Sequence, residues 1–183
     1  MPTVVVPFRG SEGKSRLGRL PLGSRATLRE AMLADVLAAA EAVGPTFVAR
    51  SARGQGAAVE EELDAAVRSG GTPPYLVVNA DVPCATARDL LTLAGAVPPG
   101  GLALVAAADG TTNALAFSSR DLYAPVYGRG SAARFAALAP SRILDVPNLA
   151  DDVDTLDDLE RLRDRLGPNT RNALARLEAG AAA

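Results

Sequence analysis

Histidine and tryptophan are absent from the chain, and cysteine occurs once, at Cys84. Without histidine there is no Ser-His-Asp triad, no histidine general base and no histidine metal ligand. One cysteine cannot form an internal disulfide or a multi-cysteine zinc site, so we expect Cys84 to pack as a small apolar residue. Any chemistry therefore rests on carboxylates, lysine, arginine and hydroxyl groups.

Positive and negative charges nearly balance, since the chain has 19 Lys and Arg residues and 21 Asp and Glu residues. This balance gives no bulk field for nucleic acid or for an anionic membrane. No apolar run approaches the roughly 20 residues that span a bilayer, and the first residues lack the pattern of a secretory signal. We predict a cytoplasmic protein that has neither nucleic acid nor a membrane as a partner.

Apolar, β-branched runs alternate along the chain with amphipathic helical patterns. This alternation predicts a three-layer α/β fold with a mostly parallel (mixed) central sheet, in which ligands bind beyond the carboxyl ends of the strands. The 183 residues and the 48% hydrophobic content fit one domain over residues 1–178, followed by a frayed tail over 179–183. Strands are predicted over 3–7, 46–49, 74–81, 102–108, 112–117 and 142–146, and helices over 28–43, 57–68, 86–96, 131–138 and 155–166.

The loop after the first strand, in VVVPFRGSEGKSRLGRL at residues 4–20, has the outline of a P-loop. A P-loop needs G-x-x-x-x-G-K-[ST], but Phe8 stands at the first glycine position and Gly10 comes two residues later. The loop is therefore not a P-loop. Its cations fit either a solvated basic loop or an anion site, and the position after strand one favours the anion site. These cations are Arg9, Lys14, Arg16, Arg19 and, close behind, Arg25.

Three aspartates have the sequence context of metal ligands. Asp81 follows the apolar run YLVVNA, which places it at the carboxyl end of a central strand, although it could instead cap a turn. Asp152 and Asp154 are two residues apart, so in an extended segment both point the same way and could share one magnesium ion. A capping role before the next helix is the alternative for this pair. Asp157 and Asp158 fall in the first helical turn, where dipole and capping preferences explain them.

A third candidate site combines DGTTNALAF with YGRGSAARF. Gly130 marks a turn and Ser131 begins a helix, so their N–H and hydroxyl groups could bind a phosphate or a carboxylate, together with Thr112. An ordinary loop with a serine cap is the alternative.

With these motifs in order, the chain resembles the family of phosphoenolpyruvate or 2-phospho-L-lactate guanylyltransferases of coenzyme F420 biosynthesis. The resemblance extends over most of the chain, in the family's order. It implies a Rossmann-like nucleotidyltransferase fold and transfer of GMP from GTP to a phosphorylated three-carbon acid, with release of pyrophosphate. The matching segments are VVPFRGSEGKSRLG, Arg25 with LREAMLADVL, NADVP, TTNAL, YGRGSAARF and DVDTLDDL.

The resemblance also implies roles for the candidate residues. Lys14 and Arg16 resemble triphosphate contacts, which Arg9, Gly10 and Arg25 assist. The acceptor pocket is matched by Thr112, Gly130 and Ser131, and the magnesium ligands by Asp81, Asp152 and Asp154. Because a phosphate oxygen of the acceptor is already ionised, the reaction needs no general base, and Lys14, Arg16 and Asp81 serve catalysis by neutralising charge.

The chain departs from the family pattern at three positions. Phe135 stands where a histidine is common, Asn79 replaces a small residue before the aspartate, and Asp64 replaces an asparagine in a segment near the nucleotide. The other readings are a nucleotidyltransferase for a molybdopterin or sugar phosphate, and a weakly catalytic homologue that binds a nucleotide or an anionic metabolite. A homodimer is compatible with all of these readings.

Overall fold

A six-stranded sheet organises the chain in a computed structural model that describes residues 1–8, 17, 20–50 and 54–181. Three of its strands, β1, β2 and β5, have the bounds that the sequence predicts. The strands are β1 (Thr3–Pro7), β2 (Thr46–Ala49), β3 (Tyr75–Val78), β4 (Leu102–Ala106), β5 (Thr112–Phe117) and β6 (Ser141–Ile143). The helices are α1 (Leu22–Glu41), α2 (Gln55–Arg68), α3 (Ala87–Gly95), α4 (Ser131–Ala136), α5 (Pro147–Ala150), α6 (Leu156–Arg161) and α7 (Pro168–Ala181).

The strand order is β2-β1-β3-β5-β4-β6, so β3 is central, as the sequence predicts. β1 pairs in parallel with β2 and β3, and β4 pairs in parallel with β6. β5 pairs antiparallel with both β3 and β4, which makes the sheet mixed. The reversed strand brings its amino end to the edge where β1 and β3 end. This edge is where the fold class places a ligand.

Helices cover both faces of the sheet, because successive strand residues point to opposite sides. Val4, Val6, Leu76 and Val78 form one core with residues of α1, α3 and α5. Val5, Val77, Leu104 and their neighbours form a second core against α2 and α4 on the other face. The predicted three-layer α/β fold is therefore confirmed.

A third apolar cluster lies outside the sheet, where α6 and α7 pack against α1. It contains Cys84, which is 3% exposed, as expected of a small apolar residue. α7 has no counterpart among the helices predicted from the sequence. This helix runs to Ala181, into the segment for which a frayed tail is predicted, and residues 182–183 lie outside the described part of the chain.

Several predicted element boundaries were wrong, including the ends of β3 and β4, and three of them have a clear physical reason. α1 begins at Leu22 and not at Leu28, because none of the residues 22–27 is buried and no apolar face marks these turns. The last strand ends at Ile143, where its pairing with β4 stops, and a short helix follows from Pro147. The helix that Thr155 caps ends at Arg161, after which turns lead to α7. In the described part of the chain, no helix combines the length and apolarity needed to cross a membrane.

Candidate active site

The cavity at the carboxyl edge of the sheet has a volume of about 540 Å³. Its floor comes from the ends of β1 and β3 and the amino end of β5. One wall comes from α1 and the segment after α5, and the other from the start of α2 and the loop before α4. The lining residues are Pro7, Phe8, Leu17, Arg29, Met32, Gln55, Gly56, Asn79, Ala80, Asp81, Thr111, Thr112, Asn113, Pro125, Tyr127, Gly128, Ser131, Asp152, Val153 and Asp154.

Three predicted metal ligands meet in this cavity. One carboxylate oxygen each from Asp81, Asp152 and Asp154 lies within 4.8 Å of the other two, in half-buried positions. Three hard oxygen donors at this spacing suit a divalent cation such as Mg²⁺. The donor set therefore fits a metal ion.

The backbone explains why these aspartates converge. The N–H of Val153 donates a 2.8 Å hydrogen bond to the carbonyl of Asp81, which joins the extended segment after α5 to the end of β3. Val153 turns into the core and is 4% exposed. Its neighbours Asp152 and Asp154 must then both turn to the cavity, because side chains alternate along extended backbone.

Hydrogen bonds at both ends hold this acidic segment in place. The amide of Asn113, in β5, donates to the carbonyl of Ala150 at 3.0 Å. On the other side, Asp158 accepts from the N–H of Asp154 at 3.2 Å and from the N–H of Thr155 at 2.9 Å, within the capping box of α6. Asp158 therefore has the capping role that the sequence predicts.

The electrostatics of the cluster favour a bound cation. Burial raises the pKa of Asp152, and the neighbouring negative charge of Asp154 raises it further. A cation between these carboxylates would relieve the repulsion that raises the pKa. Arg29, on α1, lies on the same wall. Burial lowers its pKa, and the negative charge of Asp81 opposes that effect.

Arg29 and Phe8 are cavity residues that the sequence analysis did not select. The guanidinium carbon of Arg29 lies 5.7 Å from the centre of the Phe8 ring, and that of Arg50 lies 4.8 Å from it. Phe8 is 5% exposed at the end of β1, so its ring forms a fixed support for both cations. Arg29 lies in a helical pattern that predicts only an amphipathic helix. The pattern therefore gives no sign that its side chain lines the cavity.

Thr112 and Ser131, two of the three predicted acceptor-pocket residues, line the cavity. Their hydroxyl oxygens lie 3.1 Å apart, and the two residues are 3% and 0% exposed. Gly130 forms the turn before α4 with φ of 72°, a conformation that favours glycine. It is not among the described residues that line the cavity.

The loop before α4 is fixed from behind by Arg134. Its guanidinium donates to the carbonyls of Val126, Tyr127 and Arg129 over 2.7–3.2 Å. The ring of Tyr127 also packs edge-on against Phe135, with ring centres 5.1 Å apart. These contacts hold the wall that carries Tyr127 and Gly128 in place.

The predicted triphosphate contacts Arg9, Gly10, Lys14 and Arg16 lie outside the described residues, as does Arg19. Arg25 is in the first turns of α1 and does not line the cavity. Its Nε atom is buried and has no hydrogen-bond partner among the described residues.

The family departures at Asp64 and Phe135 do not lie in the cavity. Asp64 is on the outer part of α2, where it accepts a 2.7 Å hydrogen bond from Arg120. Phe135 is fully buried in the core between the sheet and α4. Asn79 does line the cavity, and so does Gln55, which the sequence analysis did not select.

Two curated relatives match most of the chain. A phosphoenolpyruvate guanylyltransferase from Sphaerobacter thermophilus is 37% identical over 188 residues, covering 86% of this chain and 90% of the relative. Phosphoenolpyruvate guanylyltransferase 2 from Rhodococcus jostii is 30% identical over 193 residues, covering 93% of this chain and 89% of the relative. No protein-family model matches the chain.

Solved structures give the same fold. A protein described as a nucleotide-diphospho-sugar transferase from Desulfovibrio desulfuricans superposes with a TM-score of 0.73 at 16% identity, covering 97% of this chain and 95% of that one. A nucleotidyl transferase from Methanothermobacter thermautotrophicus gives a TM-score of 0.56 at 19% identity, covering 90% and 96%. At these identities the likeness shows the fold alone.

Proposed function

The chain belongs to the phosphoenolpyruvate guanylyltransferase family, and from that premise we propose that it transfers GMP from GTP to phosphoenolpyruvate. The variant acceptor is 2-phospho-L-lactate, and the resemblance set out above places the reaction in coenzyme F420 biosynthesis. The observation that carries the proposal is the convergence of Asp81, Asp152 and Asp154 in one cavity with the hydroxyls of Thr112 and Ser131.

The reaction joins two anions. An ionised phosphate oxygen of the acceptor attacks the α-phosphorus of GTP, a new P–O bond forms, and the bond from the α-phosphorus to the bridging oxygen breaks. The electron pair leaves with pyrophosphate, so no side chain has to remove a proton. This chemistry suits a chain without histidine.

Charge neutralisation is then the main task of the site. Asp81, Asp152 and Asp154 would hold Mg²⁺, which supplies positive charge to the triphosphate and to the transition state. Arg29 adds a cation on the same wall. Lys14 and Arg16, with Arg9, Gly10 and Arg25, stay predicted triphosphate contacts, and substitution of Lys14 and Arg16 is their direct test.

The acceptor fits the opposite wall. The hydroxyls of Thr112 and Ser131 can donate to a phosphate or a carboxylate, and the fixed loop at Gly128 closes the pocket beside them. The predicted contribution of Gly130 is then the backbone turn that places Ser131. Such preorganised donors align the acceptor for in-line attack.

An assay of pyrophosphate release tests the proposal. The protein is incubated with Mg²⁺, each of the four nucleoside triphosphates and one acceptor at a time. The acceptors are phosphoenolpyruvate, 2-phospho-L-lactate, a molybdopterin and a sugar phosphate. We expect release with GTP and phosphoenolpyruvate. Release with another acceptor would refute only the substrate assignment, whereas no release with any pair, a molybdopterin or a sugar phosphate included, would refute the transfer reaction.

Two further expectations stay predictions. Cell fractionation would check the cytoplasmic location, and sedimentation analysis would check whether the chain forms a homodimer.

A further inference from the structure

Two side-chain amides form a hydrogen-bonded relay at the floor of the cavity. Nδ2 of Asn79 donates to the backbone carbonyl of Thr112 at 3.1 Å. Nε2 of Gln55 donates to Oδ1 of Asn79 at 2.8 Å. Gln55 begins α2, and Asn79 directly follows β3, so the relay crosses from one wall to the centre of the sheet.

The relay fixes the orientation of both amides. A backbone carbonyl can only accept, so Asn79 must turn its NH₂ group to Thr112 and its oxygen to Gln55. Gln55 must then turn its own NH₂ group to Asn79. Its carbonyl oxygen, Oε1, accepts no hydrogen bond from the described residues. Among the described residues that line the cavity, Gln55 therefore has an amide whose orientation is set, through Asn79, by the backbone of β5.

The backbone at Gln55 is also held in place. The hydroxyl of Tyr123 donates to the carbonyl of Gly56 at 3.0 Å. A Cβ atom at Gly56 would lie 2.7 Å from Cβ of Pro125, so only glycine permits this approach. The first turn of α2 is thus fixed against the adjacent loop before α4, and a site group held this way loses little entropy on binding.

We propose that Gln55 reads the guanine base of the nucleotide, with Asn79 as its positioning residue; the inference rests on the proposed function. Guanine has two adjacent donors, N1–H and the N2 amino group, that can meet Oε1. Adenine has an acceptor at N1, which Oε1 would repel. A fixed acceptor therefore selects guanine.

The other groups of the two substrates are poor partners for Oε1 of Gln55. The triphosphate and the phosphorylated acid are anions rich in acceptor oxygens, so a fixed carbonyl oxygen would repel both. Ribose hydroxyls can donate, but they also accept and need no oriented partner. The surroundings of Gln55 suit a flat ring, because Pro7, Pro125 and Tyr127 present apolar surfaces to the cavity.

The test compares nucleotides that differ by single groups. With phosphoenolpyruvate and Mg²⁺, kcat/KM is measured for GTP, ITP, ATP and dGTP, and dissociation constants are measured by calorimetry. ITP lacks only the N2 amino group. We expect wild type to prefer GTP over ITP about tenfold, the value of roughly one hydrogen bond, and over ATP by more.

Two variants and one control test whether Gln55 makes the contact with the base. Gln55→Met has a side chain of similar length without an amide. In this variant the ratio of kcat/KM for GTP to kcat/KM for ITP should fall to within about twofold of unity. Asn79→Ala keeps Gln55 but releases its orientation, and it should give an intermediate ratio. Asp64→Asn, on the same helix but outside the cavity, should keep the wild-type ratio. Thermal unfolding checks that each variant is folded.

A wild-type ratio of GTP to ITP in Gln55→Met would overturn the inference. A loss of preference for GTP over dGTP alone would move the contact to the ribose and overturn the base assignment. If no nucleotide is turned over, the transfer reaction fails as a proposal, and the ratio of dissociation constants still decides whether Gln55 reads the base.

Discussion

At the scale of single residues, Arg29 shows how a side chain for which the sequence predicts no site role can enter a site. Its guanidinium lies over Phe8 at the end of β1, beside Asp81 on the cavity wall. Arg50, directly after β2, touches the same ring but is not among the described residues that line the cavity. The Phe8 ring therefore has two cationic neighbours, of which Arg29 lines the cavity and Arg50 does not.

The two arginines give a matched prediction. Arg29→Met should lower kcat/KM for GTP roughly 10- to 100-fold, because it removes a cation from the site where charge moves to pyrophosphate. Arg50→Met removes the same type of contact with Phe8 and should change kcat/KM by less than about threefold. Initial rates of pyrophosphate release measure both. Equal losses in the two variants would mean that support of Phe8, and not charge at the site, explains the effect.

At the scale of elements, α7 is attached to α1 through a buried carboxylate. Asp35, on α1, is 4% exposed and accepts hydrogen bonds from the backbone N–H groups of Asn169 and Thr170 at 2.9 and 2.8 Å. These N–H groups belong to the first turn of α7, which has no partners for them within its own helix. Asp35 therefore caps a helix more than a hundred residues away in the sequence.

We expect Asp35→Ala to lower the free energy of unfolding by about 2–4 kcal/mol, because two buried donors lose their acceptor. Asp35→Asn keeps the shape and one acceptor oxygen, and should cost less. Urea unfolding at neutral pH measures both. A loss below about 0.5 kcal/mol for Asp35→Ala would contradict the capping role.

The capping box of α6 leads to a prediction about pH. Burial disfavours the charge of Asp158, but hydrogen bonds from Thr155 and Arg161 outweigh burial and hold its pKa below the ordinary value of 3.8. Because the folded pKa is depressed, the stabilisation is complete above the unfolded pKa and is lost as the pH falls through the folded pKa.

Asp158→Asn should therefore cost about 1 kcal/mol from pH 7 down to about pH 5, and the difference from wild type should shrink below about pH 4. Urea unfolding of both proteins across this range is the measurement. A difference that grows at acid pH would show that the sign is wrong.

At the scale of the whole molecule, the sequence predicts the regular elements better than the site. Apolar runs such as Val4–Val6 and Leu76–Val78 identify buried strands, and Asp81 is predicted beyond β3 because that run ends there. The reversal of β5 is not visible in its apolar pattern, yet it decides that Thr112 and Asn113 lie beside Asn79. The amide relay from Gln55 likewise depends on tertiary contacts that no spacing in the sequence records.

The proposed metal site would couple nucleotide binding to global stability. Ligand that binds only the folded state at 100 times its dissociation constant adds about 2.7 kcal/mol, so GTP with Mg²⁺ should raise the Tm. Asp154→Asn should remove the part of this shift that requires Mg²⁺ and should abolish turnover. Asp157→Asn, in the exposed first turn of α6, is the matched control and should keep both. Differential scanning fluorimetry with and without Mg²⁺ measures these Tm shifts. If the Mg²⁺-dependent shift persisted in Asp154→Asn, the metal assignment would be contradicted.

Because Cys84 is buried, the rate of its chemical modification reports on opening of the packing around it. Burial raises the pKa of this single thiol, so the folded molecule offers neither an exposed sulfur nor a ready thiolate. A thiol reagent can react only when the packing of α1, α6 and α7 around it opens. Modification should be slow in buffer and fast in urea, and GTP with Mg²⁺ should slow it further. Labelling of Cys84 then reports that the packing around it has opened, without any introduced probe.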